Sequence, residues 1–419
     1  MKVLVRGPAL TRTGYGEHCR FVLRALRKME NIDLYLIPVN WGNSNWIWEH
    51  DEERLWLDDI VHKTTQHLQQ KGEFDMSIQV TIPNEWQTMA PINIGVTAGI
   101  ETTKVAPVWL EKANQMHKVI TISEHSKKVF IDSAYDGVDK NSGKAMHLKL
   151  RDNLAVDVVH YPVKTFEEVN LDLNLSTKFN FLTVAQWGPR KNLKNTIRWF
   201  VEEFIDNPDA GLIVKTYAKG GSVIDKVKMY KKLKKVLRKY DHMQCKVYLL
   251  HGDMTDQEMH SLYGHKDVHC LVSLTHGEGF GLPLFEAAYC GMPVLATNWS
   301  GHLDFLQKPT KDKKGKEKIK PHFAKVEYEL KPVQPSARWE GVIQKDSNWA
   351  FPEQGSYKMR LREVYKDYGR FKSQAKKLQT WVTKTFTETK QHEAFNSCLK
   401  EYVFEQVSDE ELDDIFAQM

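Results

Sequence analysis

The sequence predicts an α/β protein built from two Rossmann-like domains that face each other across a cleft. Three observations predict it. Short apolar runs alternate with amphipathic helical stretches; the alternation lapses over the polar residues 164–178 and then restarts. The chain of 419 residues also exceeds the size, about 250–300 residues, at which single cores stop growing. The expected domains are residues 1–170, 171–375, and C-terminal helices over 376–419 that pack back toward the first domain.

In the first domain Lys2–Val5 reads as a strand, Gly14 and Gly16 sit in the loop after it, and Phe21, Leu23 and Leu26 mark the apolar face of a helix. Further strands are expected at 33–37, 74–80, 92–96, 119–122 and 156–160. Residues 164–178 hold no clear core and read as a linker. Beyond it, strands are expected at 179–185, 211–216, 246–250, 268–274 and 293–296. Such sheets bind ligands outside the carboxyl ends of their strands, so two facing sheets place a site between them.

Composition narrows the setting. The five cysteines are scattered and none form a Cys-x-x-Cys pair, which points to a reduced compartment. The apolar run within residues 1–6 is too short for a signal sequence, and no stretch approaches transmembrane length, so a cytoplasmic protein is expected. A net charge of +5 permits an anionic partner without demanding one.

The most informative segment is Thr275-His-Gly-Glu-Gly-Phe-Gly-Leu-Pro-Leu-Phe-Glu286. It follows a buried strand and opens a helix near Pro283. Glycines at 277, 279 and 281 let backbone approach a ligand, and the helix's first amides attract an anion. Carboxylates at Glu278 and Glu286 beside an anion site suit a phosphate attached to hydroxyl-rich groups, because they accept hydrogen bonds from sugar and ribose hydroxyls. The implied ligand is a nucleotide-sugar.

With Gly291-Met-Pro-Val294 after it, this segment resembles the Glu-x7-Glu hallmark of the retaining glycosyltransferases of family four, which have the GT-B fold. The resemblance implies that Glu278 contacts the donor sugar and Glu286 the ribose, with Gly279, Phe280, Gly281 and Leu282 around the donor. Arg190 and Lys191, in Gln186-Trp-Gly-Pro-Arg-Lys-Asn192, match the cations that neutralise the leaving diphosphate, although many members space theirs further apart. The first loop, with Gly14 and Gly16, is expected near the diphosphate; it lacks the third glycine of a dinucleotide fingerprint. Glu101, in a Thr-x-x-x-Glu segment followed by Pro107-Val-Trp109, resembles the family's segment that faces the donor sugar, or else caps the next helix, and Lys215 is a weaker candidate for the same cleft.

The reaction implied is transfer of a hexose-type sugar, with retention, from a nucleotide-diphosphate sugar to a hydroxyl acceptor such as a glycan, glycolipid or other polymer. No cofactor and no metal are expected, since no Asp-x-Asp occurs and the two cations can neutralise the diphosphate. Alternatives are glycosylation of modified DNA bases, a nucleotide-sugar epimerase, and a binder without turnover. Three regions bear on the acceptor: Trp41, Trp46, Trp48 and Trp56, whose rings could stack on sugars or bases; the lysine-rich helix 229–240; and a mobile lysine-rich insertion at 308–320 that could meet polyanions, nucleic acid included.

Overall fold

A computed structural model describes residues 1–42, 44–47, 50–138, 143, 145–218, 220–311 and 315–403. In chain order the first domain runs β1 (Lys2–Gly7), α1 (Gly14–Leu26), β2 (Asp33–Pro38), α2 (Glu52–Gln69), β3 (Met76–Val80), β4 (Ile92–Thr97), α3 (Pro107–Ala113) and β5 (Lys118–Thr121). It continues through α4 (Glu124–Asp132), the hairpin of β6 (Tyr135–Val138) with β7 (Ala145–Leu148), and β8 (Ala155–Val158). The second begins β9 (Phe179–Val184), α5 (Leu193–Phe204), β10 (Ala210–Thr216), α6 (Val223–Leu237), β11 (Lys246–His251), α7 (Asp256–Gly264), β12 (Cys270–Ser273) and α8 (Leu282–Tyr289). Then come β13 (Val294–Thr297), α9 (Leu303–Leu306), β14 (Gln307–Lys311), β15 (Glu317–Pro321), β16 (Ala324–Val326), β17 (Tyr328–Pro332), β18 (Asn348–Pro352), α10 (Gln354–Lys366), α11 (Tyr368–Thr385) and α12 (Glu388–Leu399).

The expected strands all form, with ends displaced by no more than two residues. With β16, which was not expected, they build two parallel six-stranded sheets, ordered β2-β1-β3-β4-β5-β8 and β11-β10-β9-β12-β13-β16. The second is the 3-2-1-4-5-6 order of dinucleotide-binding sheets. Strands covered by helices on both faces read as continuous apolar runs, as Val3, Leu4 and Val5 do. Thr13 caps α1 by accepting the Gly16 amide at 3.0 Å, which starts the helix directly after the first loop.

Two expectations need correction. The linker is strapped down rather than free: Leu171, Leu173 and Leu175 pack on the second domain's core and the Val169 amide donates to Ser261 Oγ at 2.8 Å. Residues 308–320 are not simply a mobile insertion, because β14 and β15 pair antiparallel there and main-chain bonding outweighs lysine solvation; 312–314 lie outside the described residues. At the C-terminus α12 crosses to the first domain, where Phe395 and Leu399 join the core beneath α1 and Asn396 Nδ2 donates to the Ala25 carbonyl at 3.1 Å. Residues 404–419 lie outside the described ones. The two crossings touch, with the Val163 amide donating to the Phe386 carbonyl at 2.7 Å.

The glycine-rich turn of the second domain abuts the 98–101 loop of the first. A Cβ added at Gly277 would lie 2.2 Å from the Glu101 carbonyl oxygen, and one at Gly279 2.0 Å from that of Ala98. These glycines therefore serve backbone-to-backbone approach between domains, where ligand approach was expected. Gly279→Ala should push the loops apart and lower stability by about 1–3 kcal/mol, the cost of overpacking. An unchanged thermal midpoint by calorimetry would show that the two loops do not meet in solution.

Candidate active site

The second sheet reverses its strand order between β9 and β12, and the loops after these two strands carry the candidate residues. After β9 the chain turns through Pro189–Asn192, with Asn192 in the left-handed region at φ 52°, a conformation asparagine tolerates. That turn aims Arg190 and Lys191 at the loop after β12. Lys191 Nζ donates to Glu278 Oε1 at 2.6 Å and Arg190 Nη1 to Glu278 Oε2 at 2.8 Å. Arg190 also donates to the Gly277 carbonyl at 2.8 Å and reaches across the cleft, its Nε lying 3.3 Å from Glu101 Oε1. Glu101 is thus a partner of Arg190 rather than a helix cap; α3 starts from Ala106 without a side-chain cap.

Charge balance defines the site. Burial works against an ionised Glu278, but the Lys191 and Arg190 cations outweigh it and hold the carboxyl well below the usual carboxylate range. Burial and the adjacent Arg190 lower Lys191, whereas the carboxylates Glu101 and Glu278 hold Arg190 firmly charged against burial. Glu278 therefore stays an anion. It can accept hydrogen bonds and face a developing positive charge, and it is a poor proton acceptor. A small cavity of about 10 Å³ lies here, lined by Lys191, Glu278, Pro283 and Leu284 among others.

The other expected residues scatter around this centre. Lys215 does not reach it, because β10 lies on the far side of β9 from β12; its Nζ donates instead to the Gly252 carbonyl. Gly14 approaches the second domain, a Cβ there lying 3.9 Å from Leu282 Cδ1, while Gly16 is demanded by its own turn, where a Cβ would meet the Thr11 carbonyl oxygen at 2.1 Å. The Phe280 side chain is core, packed with Tyr161, Phe285 and Phe305, so only its main chain is available to a donor. Gly281 opens α8 in the left-handed region at φ 94°, as the glycine reading requires. The tryptophans do not form one cluster: Trp41 lies against Tyr15 at 4.2 Å, Trp46 is exposed beside Thr11, Trp56 lies under Arg27, and Trp48 is outside the described residues.

Glu286 lies further along α8, beside the Tyr263 hydroxyl and near Asp256, Lys164 and Glu17. Burial pushes its carboxyl up to about 7 from an ordinary 4.5. Since the folded-state value is the higher one, this group's stabilising contribution is fully present below about pH 4.5 and is lost as pH rises through about 7. Between those limits the wild type should lose up to about 3 kcal/mol relative to Glu286→Gln, measured as the difference in unfolding free energy across pH. Parallel profiles for the two proteins would place the Glu286 carboxyl in water.

Several contributors carry little sequence signal. Ser300 sits in the left-handed region at φ 82° and its Oγ accepts the Glu278 amide at 2.8 Å, so a strained residue fixes the turn that carries Glu278. Tyr15 is hydrogen-bonded to Thr97 at 2.9 Å on the first domain's side of the cleft. Lys164, in the linker, pairs with Glu17 at 2.7 Å and lies 3.8 Å from Asp256, tying both domains together near Glu286. Among the described residues no three His, Cys, Asp or Glu side chains group as metal ligands, and no helix is long and apolar enough to cross a membrane.

Residues 167–311 match the family model described as Glycosyl transferases group 1. No curated protein matches the sequence. Among solved structures, Anabaena HepE in complex with UDP and glucose is similar with a TM-score of 0.60 at 14% identity, covering 96% of this chain and 100% of that one. Sucrose-phosphate synthase from Thermosynechococcus elongatus gives 0.61 at 12%, covering 96% and 98%. An E. coli protein solved bound with UDP-2-fluoro glucose gives 0.58 at 11%, covering 96% and 100%. These likenesses establish the GT-B fold.

Proposed function

We propose, from a GT-B chain whose residues 167–311 match group 1 glycosyl transferases, that the protein transfers a hexose-type sugar from a nucleotide-diphosphate sugar to a hydroxyl acceptor with retention, without metal or cofactor. One observation carries the reading: a buried carboxylate, Glu278, held ionised between Arg190 and Lys191 at the reversal point of the second sheet. A donor's diphosphate takes the cations and the α8 amides, and Glu278 is left to receive the sugar hydroxyls. The ligands in similar structures, UDP and glucose in one and UDP-2-fluoro glucose in another, make a UDP-hexose the first donor to test.

Retention is what the resemblance to the retaining glycosyltransferases of family four implies. Positive charge grows at the anomeric carbon as the diphosphate departs, and the anionic Glu278 lies where it can stabilise it. The resemblance also implies a front-face route, in which the acceptor attacks from the face the phosphate leaves and the phosphate takes its proton. Glu101 supports the arrangement by holding Arg190 from the first domain. Glu286, further along α8, receives the ribose.

The test is a panel of nucleoside-diphosphate sugars in a thermal-shift assay. A donor at a hundred times its dissociation constant stabilises the fold by about 2.7 kcal/mol. One donor should raise the midpoint clearly, and then be consumed only when an acceptor is supplied. Donor consumed without acceptor, giving a new nucleotide-sugar, would identify an epimerase; no shift with any donor would end the nucleotide-sugar reading.

A further inference from the structure

We propose that the outward face of α6 is a docking surface for an anionic lipid bilayer. This helix buries Met229 and Leu233, and its one acid, Asp225, turns inward to lie 2.9 Å from His251 Nε2. Its outer face carries Val223 at 77% exposure, Ile224 at 82%, Val227 at 48% and Tyr230 at 50%. The spacing 223, 227, 230 sets three of these on one stripe, with Ile224 beside it. Lysines surround them at 226, 228, 231, 232, 234 and 235, and among the described residues no acidic side chain pairs with any.

Apolar side chains thus gather on the first half of the face, flanked by Lys226 and Lys228, and four more lysines follow on the second, the layout of a helix that lies in a membrane interface with its lysines at the headgroups. The same residues argue against other occupants. A second copy laid helix on helix would bring the two sets of lysines together, and a nucleic acid would engage the lysines while leaving Val223 and Ile224 in water. The loop before α6 meets the first domain, since a Cβ at Gly220 would lie 2.4 Å from Asn45 Oδ1, so a bilayer bound here adjoins the rim of the cleft. The surface stands apart from the sugar-transfer reading, because none of its residues belongs to the site.

The experiment is cosedimentation of the full chain with vesicles of phosphatidylcholine alone or mixed with phosphatidylserine, with no donor or acceptor present. Binding is expected only to the mixed vesicles, weakening as salt rises. Ile224→Asp should weaken it about tenfold or more, and Lys231→Glu with Lys235→Glu by a similar factor, at unchanged thermal midpoints. Absence of binding to the mixed vesicles, or equal binding by Ile224→Asp, would overturn the proposal. Duplex DNA binding that needs the lysines but not Ile224, or a concentration-dependent dimer abolished by Ile224→Asp, would overturn it in favour of those occupants.

Discussion

Lys191→Ala should lower turnover by a factor on the order of a hundred to a thousand, the scale for losing one group that stabilises charge developing in a transition state. Lys191 Nζ is 2.6 Å from Glu278 and burial lowers its pKa, so it is a compact cation in a dry setting, where its charge counts most. The leaving diphosphate gains negative charge as the bond breaks; without Lys191, Arg190 is the one cation left beside the α8 amides to meet it. Initial rates with and without excess chelator measure this. Full activity in the variant, or wild-type activity abolished by chelator and restored by a divalent ion, would assign the role to a metal.

Glu278→Gln should separate binding from turnover in opposite directions. Removing the negative charge frees Arg190 and Lys191 from their internal counterion, so the donor's nucleoside diphosphate should bind several-fold more tightly by titration calorimetry. Turnover should fall by about a hundredfold or more, because the amide cannot stabilise positive charge at the anomeric carbon. A single-turnover measurement distinguishes slow chemistry from slow product release. If binding weakened and turnover held, Glu278 would be a binding group alone. Stability is a separate readout: with Glu101 as the remaining carboxylate, the two largely buried cations repel, so the variant should melt earlier than wild type in the absence of nucleotide and recover when it is added.

Strands and motif were legible because both are local. The apolar runs place β1, β9 and β10 within a residue or two, and the order strand, glycine turn, helix places Glu278 without any tertiary information. What stayed hidden is set by partners distant in sequence. The reason for Gly277 and Gly279 lies in the carbonyls of Glu101 and Ala98, and nothing near either glycine announces them. Lys215 sits at a strand end as expected, yet only the strand order shows it is one strand too far. The β14–β15 pairing was masked by lysines, whose solvation dominates a reading by hydropathy, and Ser300's positive φ has no marker in a serine.

The touching of the two crossings has a mechanical meaning. Val163 and Phe386 lie where the chain passes between domains, and they are hydrogen-bonded to each other, so an opening of the two domains would have a natural pin there. Phe280, within the Glu278 turn, is linked to that pin through His160, whose ring lies 5.8 Å from Phe280 and 5.2 Å from Phe386. In a rotation, travel grows with distance from the axis. In such a rotation Phe280, tied to the pin through His160, would travel less than parts of the cleft lying far from it.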